Sequence, residues 1–383
     1  DVLKVKITEI DNDVFKTAIL EQLKEVFRYM ESEDLSFVKA EILNFCKNQE
    51  IKRAIMDSVA LLKMGNYDEI KSNIDSAMKA GADTDVGLEY KDQVSVRYNE
   101  AARHTITTGW DVIDDLMDGG LAPGELGVVM APAGIGKSWL LINIGANAVK
   151  AGKTVVHYTL ELNQNYVGQR YDSVLTGIPA QNLKNYQEDI EEKMKTIPGE
   201  LVIKYYPTKS TGVMGIKAHI EKSAMLGKAP DLVIVDYADL LKVNNKKDKH
   251  EALEELYEDL RGMAGEYDIP VWTASQAGRA SLEDDIIEAD KIAASYGKVM
   301  VSDFLMSLSR KVEDKLSGTG RGHVIKNRFG PDGITLPSKI NTNNGQFEFF
   351  EPQTTQGKQT TQIMKTGESM IKKTLAQKFK DLG

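Results

Sequence analysis

The first part of the chain carries apolar residues at helical spacing. One stripe is formed by Phe15, Ile19, Leu23 and Phe27, and a second by Ile51, Ile55, Val59 and Leu62. Intervals of three or four residues place such side chains on one face of a helix. We interpret residues 1–83 as a helical bundle with these stripes in its core, and nothing in it suggests catalysis. Because the chain begins at Asp1, we expect the native protein to start earlier.

A narrower apolar stripe follows in the segment "LEYKDQVSVRYNEAAR". Its apolar members are Leu88, Val94, Tyr98 and Ala101. A helix with so thin an apolar face needs a docking surface, on its own chain or on a neighbour. We therefore predict a linker helix over residues 84–103.

From residue 104 the pattern changes to short apolar strands that alternate with helices. The strands include "ELGVVMA", "KTVVHYTLE", "DLVIVDY" and "PVWTASQ". This alternation predicts an α/β domain over 104–351, with a mostly parallel sheet covered by helices on both faces. Ligands of such sheets bind at the carboxyl ends of the strands. Residues 352–383 turn polar, and we predict a flexible linker followed by a basic tail helix.

Composition narrows the classes of function. The chain has 383 residues, a net charge of -9, one cysteine (Cys46) and five scattered histidines. We expect no zinc site, no disulfide framework and no membrane span, and a reducing cytoplasm fits the lone cysteine. The acidic balance argues against non-specific coating of nucleic acid. It leaves room for a local basic or amide-lined channel, because charges are screened beyond about 10 Å.

The stretch "APAGIGKSWLL" predicts a phosphate-binding loop. It meets the pattern G-x-x-x-x-G-K-[ST] except at its first position, where Ala131 replaces glycine. Such a loop surrounds phosphates with backbone N–H groups, while Lys137 adds a charge and Ser138 ligates Mg²⁺. We predict binding of ATP or another nucleoside triphosphate with Mg²⁺. The loop residues are Ala133, Gly134, Ile135, Gly136, Lys137, Ser138 and Trp139.

Three polar residues end predicted strands and are candidates for the chemistry. Asp236 ends "LVIVD", where a buried carboxylate needs a cation; we favour Mg²⁺, shared with Ser138, over a capping role. Glu161 ends "VVHYTLE", on a strand expected beside the P-loop strand, and is the candidate that orients the attacking water. Gln276 ends "VWTASQ" and either senses the γ-phosphate or merely finishes its strand.

Two cations precede a tight turn in "KNRFGPDG". Lys326 and Arg328 occupy alternate positions and so project from one face of a strand. They form either a solvated hairpin edge or a pair of fingers that stabilises charge on a transferred phosphoryl group.

These motifs together resemble the DnaB-type replicative helicases, especially those of tailed phages. The resemblance covers about residues 104–350 and rests on the P-loop segment and on "YTLEL", "VIVDYADLL", "TASQ" and "KNRFGPDG", which occur in that order. The cation pair after the glutamine strand is its most discriminating feature. The sequence departs from the family at Ala131 and in the absence of an arginine-rich character around residues 277–294.

The resemblance implies a RecA-like ATPase core in a homo-hexameric ring, with ATP between neighbouring subunits. It implies that Glu161 is the catalytic base, that Asp236 is the acid on the magnesium side and that Lys326 and Arg328 reach the neighbour's site. Arg170 matches a family arginine that packs on the nucleotide base. The linker helix would dock on the adjacent subunit.

The resemblance also implies a DNA-binding loop and further partners. The segment "KIAASYG" (291–297) matches a loop that grips single-stranded DNA phosphates largely through backbone amides. Its predicted DNA-binding residues are Lys291, Ala294, Ser295, Tyr296 and Gly297. Unwinding with 5′ to 3′ polarity, in a host cytoplasm, and candidate contacts with primase and a helicase loader follow from the same resemblance.

Two other interpretations remain open from the sequence. A RecA- or RadA-like strand-exchange ATPase shares the core but forms filaments, and an ATPase of the same superfamily that does not bind nucleic acid shares the P-loop. The paired Lys326 and Arg328 and the helical amino-terminal segment favour the ring.

Overall fold

The computed structural model describes the chain in several stretches, which together cover most of its second part. The described residues are 48–59, 61–62, 67–79, 90–91, 103–243, 249–278, 281, 284–288 and 300–381. The predicted DNA-binding loop 291–297, most of the predicted linker helix and the first stripe of the bundle lie outside them. The chain divides into two compact units, Asp1–Ala101 and Ala102–Gly383.

The described part of the first unit is helical. Residues 48–59 form one helix, and helix α1 spans Tyr67–Lys79. In the first of these helices Ala54 and Ser58 are buried, whereas Ile55 and Val59 are each 54% exposed. The Ser58 hydroxyl donates to the Ala54 carbonyl at 2.6 Å. The stripe predicted as core at Ile55 and Val59 is therefore wrong here, because the closely packed face carries the small residues.

The second unit is built on one nine-stranded sheet with the order β3-β2-β4-β5-β1-β6-β7-β8-β9. The strands are β1 (Leu126–Ala131), β2 (Thr154–Thr159), β3 (Glu200–Tyr205), β4 (Leu232–Asp236), β5 (Val271–Gln276), β6 (Phe304–Ser309), β7 (Thr319–Asn327), β8 (Thr335–Ile340) and β9 (Phe347–Phe349). Pairings among β1 to β6 are parallel. Strands β7 to β9 extend the sheet in antiparallel fashion.

Helices cover both faces of this sheet. They are α2 (Asp111–Asp114), α3 (Lys137–Lys150), α4 (Gln164–Thr176), α5 (Gln187–Lys195), α6 (Val213–Met225), α7 (Lys249–Tyr267), α8 (Val312–Ser317) and α9 (Thr355–Asp381). Alternate residues of β1 enter different cores: Val129 packs with apolar residues of α3, and Val128 with those of α6 and α7. The predicted α/β class, a RecA-like mostly parallel sheet with helices on both faces, is confirmed.

One expectation about strand neighbours is wrong. The sequence predicts that the strand before Glu161 lies beside the P-loop strand. In the structure β2 pairs with β3 and β4, while β1 pairs with β5 and β6. Two strands, β4 and β5, separate β2 from β1. After α3 the chain forms β2 two strand positions away from β1, and the later strands β4 and β5 occupy the positions between them.

The end of the chain also differs from the expected linker. Helix α9 begins at Thr355, within the polar stretch. Gly357, Thr360 and Met364 are buried on it, and α9 packs against α8 and β8. A Cβ atom on Gly357 would lie 2.0 Å from the Glu351 carbonyl oxygen. Small residues at helical spacing therefore dock a segment that has few apolar side chains. None of the helices in the described residues combines the length and the apolarity needed to cross a membrane.

Candidate nucleotide-binding site

The predicted P-loop connects the end of β1 to the start of α3. Gly134 and Gly136 have φ values of 76° and 120°, a region that L side chains rarely adopt. Ala131, which stands where the P-loop pattern has its first glycine, is the last residue of β1. An extended strand backbone accepts any side chain, so alanine meets no steric obstacle there.

Lys137 folds back over the loop at the first turn of α3. Its Nζ donates to the Ala131 carbonyl at 2.9 Å and to the Pro132 carbonyl at 3.2 Å. Burial lowers the pKa of Lys137, and the carboxylates of Asp236 and Glu161 oppose that shift. A cation at a helix N-terminus, held only by neutral carbonyls, is well suited to exchange these partners for phosphate oxygens.

Asp236 and Ser138 form the candidate magnesium site. The Ser138 hydroxyl donates to Asp236 Oδ1 at 3.2 Å. Asp236 is only 2% exposed, and burial raises its pKa to about 6, an effect that the Ser138 hydrogen bond reduces. A buried carboxylate beside a hydroxyl offers the hard oxygen ligands that Mg²⁺ prefers, and the ion would offset the cost of burying the charge. These residues therefore fit Mg²⁺.

A cavity of about 320 Å³ joins the predicted residues at the carboxyl ends of the strands. Those that line it are Ala133, Gly134, Gly136, Lys137, Ser138, Trp139, Glu161, Arg170 and Gln276. Ile135 points away, into the core, and is 1% exposed. A larger cavity of about 530 Å³ between α4 and α5 has no P-loop residue in its lining. Glu161 thus reaches the site although its strand is not adjacent to β1.

Tyr237 is a site residue that the sequence analysis missed. Its hydroxyl donates to Gln276 Oε1 at 3.3 Å, and its ring centre lies 5.7 Å from Lys137 Nζ. The Gln276 backbone N–H donates to Asp239 at 3.2 Å. Gln276 is therefore tied to the segment that directly follows β4 and Asp236. The position of Tyr237 directly after that aspartate was the signal that could have identified it.

Arg170 lies on the indole ring of Trp139, with 4.9 Å between its guanidinium carbon and the ring centre. Burial lowers the pKa of Arg170, and the carboxylates of Asp236 and Glu161 oppose that shift. The arginine therefore belongs to the cavity and stands in the field of its two acidic groups. Its packing on a nucleotide base stays a prediction.

Lys326 and Arg328 lie at the opposite edge of the sheet. Lys326 Nζ donates to the Met300 carbonyl at 2.7 Å, and Arg328 Nη1 to Asp303 Oδ1 at 2.8 Å. The start of β1 is close by, because the Leu126 N–H donates to Asp303 Oδ2. The six residues of β1 are separated by five steps of about 3.3 Å each, so roughly 17 Å separates this edge from the P-loop. One chain does not bring its own Lys326 and Arg328 to its own nucleotide cavity.

Comparison with known proteins identifies the family that the second unit resembles. Residues 105–288 match the DnaB-like helicase C terminal domain. The chain is 22% identical to the DnaB-like replicative helicase of Enterobacteria phage T4 in an alignment of 324 positions that covers 80% of this chain and 67% of that protein. It is 27% identical to the replicative DNA helicase DnaB of Mycoplasma genitalium over 60% of this chain and 53% of the relative. The chain thus spans about two thirds of the phage relative and about half of the bacterial one.

Two solved structures share the fold. One, an ATPase domain, superposes with a TM-score of 0.59 at 19% identity, over 69% of this chain and 99% of that domain. A DnaB-like replicative helicase, studied for its interactions with primase, superposes with a TM-score of 0.66 at 17% identity, over 86% of this chain and 83% of that one. Residues 105–288 thus resemble the DnaB-like helicase C terminal domain, and the predicted resemblance of the chain to the DnaB-type replicative helicases is confirmed.

Proposed function

We propose that this protein is a ring-shaped, ATP-driven DNA helicase that encircles one DNA strand and moves along it with 5′ to 3′ polarity. The observation that carries the proposal is the division of the catalytic groups between two edges of one sheet. The nucleotide cavity opens at the carboxyl ends of the strands, and the Lys326–Arg328 pair lies roughly 17 Å away. A homo-hexameric ring would place the second edge of each copy against the cavity of the next.

Within each composite site the residues would share the work as follows. Lys137 and the loop N–H groups bind the phosphates, and Glu161 orients the attacking water and accepts its proton. Ser138 and Asp236 hold Mg²⁺, which neutralises charge on the phosphates when it is bound. Arg328 and Lys326 of the neighbouring copy stabilise the charge that develops on the transferred group.

Coupling to DNA would run through Gln276. This side chain lines the nucleotide cavity and accepts a hydrogen bond from Tyr237, and the chain continues from it toward the predicted DNA-binding segment 291–297. A γ-phosphate that accepts a hydrogen bond from Gln276 would therefore shift the point from which the chain leads to that segment. Primase and a helicase loader are candidate partners, in line with the helicase of similar fold that interacts with primase.

Electron microscopy with an ATP analogue and single-stranded DNA tests the assembly. We expect closed six-subunit rings threaded on DNA, together with ATP hydrolysis that DNA stimulates. Helical filaments would favour a strand-exchange ATPase instead. No effect of DNA on assembly or turnover would favour an ATPase that does not act on nucleic acid.

A subunit-mixing experiment tests the composite site. Lys137→Ala removes the phosphate-binding cation, and Arg328→Ala removes the finger, which typically costs about 10³-fold or more in turnover. Each variant alone should form rings and hydrolyse ATP poorly. Mixed rings contain interfaces that pair the intact P-loop of an Arg328→Ala chain with the intact Arg328 of a Lys137→Ala chain. Partial activity should return; no return despite demonstrated subunit exchange would contradict a finger supplied by the neighbour.

A further inference from the structure

A buried carboxylate stands behind the finger residues. Asp303 lies just before β6, and its side chain is 3% exposed. Its backbone N–H donates to the Leu126 carbonyl, and its carbonyl accepts from the Arg328 N–H at 3.0 Å. Asp303 therefore joins the first residue of β1 to the residue that directly follows β7. Both its backbone and its side chain are fixed at the edge that carries the finger.

Four hydrogen bonds converge on the Asp303 carboxylate. Arg261 donates to both oxygens, from Nε and from Nη2, each at 3.0 Å. Arg328 Nη1 donates to Oδ1 at 2.8 Å, and the Leu126 N–H donates to Oδ2 at 2.9 Å. A two-bond guanidinium grip fixes the plane of a carboxylate as well as its position. The Leu126 N–H holds the carboxylate against β1, and the remaining bond joins it to the Arg328 guanidinium.

The cluster also brings several cations together around one acid. Arg261 and Arg328 both bind the Asp303 carboxylate, and Lys326 lies beside them on β7. Burial lowers the pKa of Lys326, and the neighbouring Arg328 cation lowers it further. The Arg261 and Arg328 side chains are 39% and 45% exposed. An edge with two accessible guanidinium groups on a single carboxylate, in an acidic chain, is suited to receive an anion.

We propose that Asp303, held by Arg261, is the positioning residue of the Arg328 finger. The inference rests on the proposed function, because it identifies the anion that this edge would receive as the triphosphate bound by a neighbouring copy. An exposed arginine on a strand end would sample many rotamers, and ordering it during each cycle would cost entropy. The Asp303 carboxylate restricts the guanidinium before the neighbour's nucleotide arrives. The Arg328 side chain is 45% exposed, so its other N–H donors are accessible to a phosphate from outside.

The test is Asp303→Asn, which keeps the size of the side chain and removes its charge. A displacement of about 1 Å in a catalytic group can lower turnover about 10²-fold, and we expect a loss of that size in kcat with nucleotide binding unchanged. Arg261→Lys, at a partly exposed helix position, keeps the charge and loses the two-bond grip. It should give a smaller loss of the same kind. Asp314→Asn is the matched control, because Asp314 is equally buried and bonded to Arg321 at 2.6 Å but lies at the other edge.

Subunit mixing separates positioning from structural damage. Asp303→Asn chains keep their own P-loop, so they should restore activity when mixed with Lys137→Ala chains and should restore none with Arg328→Ala chains. If Asp303→Asn fails with Lys137→Ala while Arg328→Ala succeeds, the carboxylate supports its own β1 and P-loop, and the inference is wrong. Raised turnover of Asp303→Asn would also overturn it. If Arg328→Ala itself fails to complement Lys137→Ala, the result contradicts the composite site of the proposed function and not the role of Asp303.

Discussion

Burial governs the behaviour of individual charged groups at both edges of the sheet. Asp236 has a raised pKa because water is excluded from it, and Lys137 has a lowered pKa for the same reason. Both shifts disfavour the charged form of the group, and a bound Mg²⁺–nucleotide complex would oppose both. The free energy of nucleotide binding thus includes a favourable contribution from stabilising the buried charges of Asp236 and Lys137. The Glu161 side chain is exposed, which gives water the access that its proposed role requires.

Glu161→Gln should separate nucleotide binding from hydrolysis. The amide keeps the shape of the side chain but cannot accept a proton, and general base catalysis typically contributes about 10²- to 10⁴-fold. We expect turnover to fall by that factor while the affinity for a fluorescent ATP analogue and ring assembly stay near those of the wild type. Loss of binding together with turnover would show that Glu161 has a structural role instead.

His157 should make the stability of the second unit depend on pH. It is fully buried on β2, its Nδ1 lies 2.8 Å from the Tyr171 hydroxyl oxygen, and burial lowers its pKa from 6.5 to about 3. Between these two pH values, His157 therefore binds a proton in the unfolded chain and stays neutral in the folded chain. This contribution to the free energy of unfolding is complete above pH 6.5 and is lost as the pH falls toward 3.

Urea unfolding at pH 7 and pH 5 measures the effect. Tryptophan fluorescence reports on this unit alone, since Trp110, Trp139 and Trp272 all belong to it. Between the two pH values His157 should account for a loss of about 2 kcal/mol. His157→Asn should remove that part of the pH dependence, whereas His104→Asn, at an exposed histidine, serves as the control. An unchanged pH dependence in His157→Asn would refute the assignment.

At the scale of elements, apolar patterns predicted where the strands lie in the sequence better than they predicted which strands pair. "ELGVVMA" and "DLVIVDY" correspond to β1 and β4, because buried parallel strands need continuous apolar runs. The adjacency of β2 to β1 was predicted wrongly. Strand order depends on the crossover connections, and the residues of a strand do not indicate which strand will lie beside it. The start of α9 was also missed, because the buried residues of its first turns are Gly357 and Thr360, which hydropathy does not score as apolar.

Met364 tests how α9 is held. Met364 is 4% exposed, whereas the adjacent Ile363 is 43% exposed. Met364→Ala should destabilise the docked helix by about 2 to 5 kcal/mol, and Ile363→Ala should cost about 0.5 kcal/mol or less. Hydrogen exchange of α9 amides is the appropriate measurement, because it reports local opening. Equal exchange in both variants would show that Met364 does not anchor the helix.

At the scale of the whole molecule, the site predicted from sequence divides into two parts. The P-loop, Asp236, Glu161 and Gln276 could be predicted because each ends a strand, and parallel strands end at one edge. The position of Arg328 could not, because it depends on the reversal of chain direction at β7. Its carboxylate partner Asp303 precedes a different strand. Arg261, the third member of that cluster, comes from α7. Tertiary structure alone brings these three residues together.

The net charge of the whole chain bears on how it would hold DNA. With a net charge of -9, a ring of identical copies needs a channel that does not depend on many cations. The segment 291–297 contains one lysine, Lys291, together with an isoleucine, a tyrosine and four small residues. Amide groups can bind phosphate oxygens without releasing the counterions that lysine displaces. We therefore expect single-strand binding that is independent of base sequence and strengthened by ATP.

The salt dependence of this binding distinguishes amide contacts from lysine contacts. For single strands the logarithm of the binding constant falls with the logarithm of salt by about 0.7 per neutralised phosphate. If each of six copies contributes Lys291 alone, the slope should not exceed about 4 in magnitude, and Lys291→Ala should make it shallower. Fluorescence anisotropy with labelled oligonucleotides across a salt series provides the measurement. A much steeper slope, abolished by neutralising the lysines from Lys365 to Lys380, would assign DNA binding to the carboxyl-terminal tail instead of the 291–297 loop.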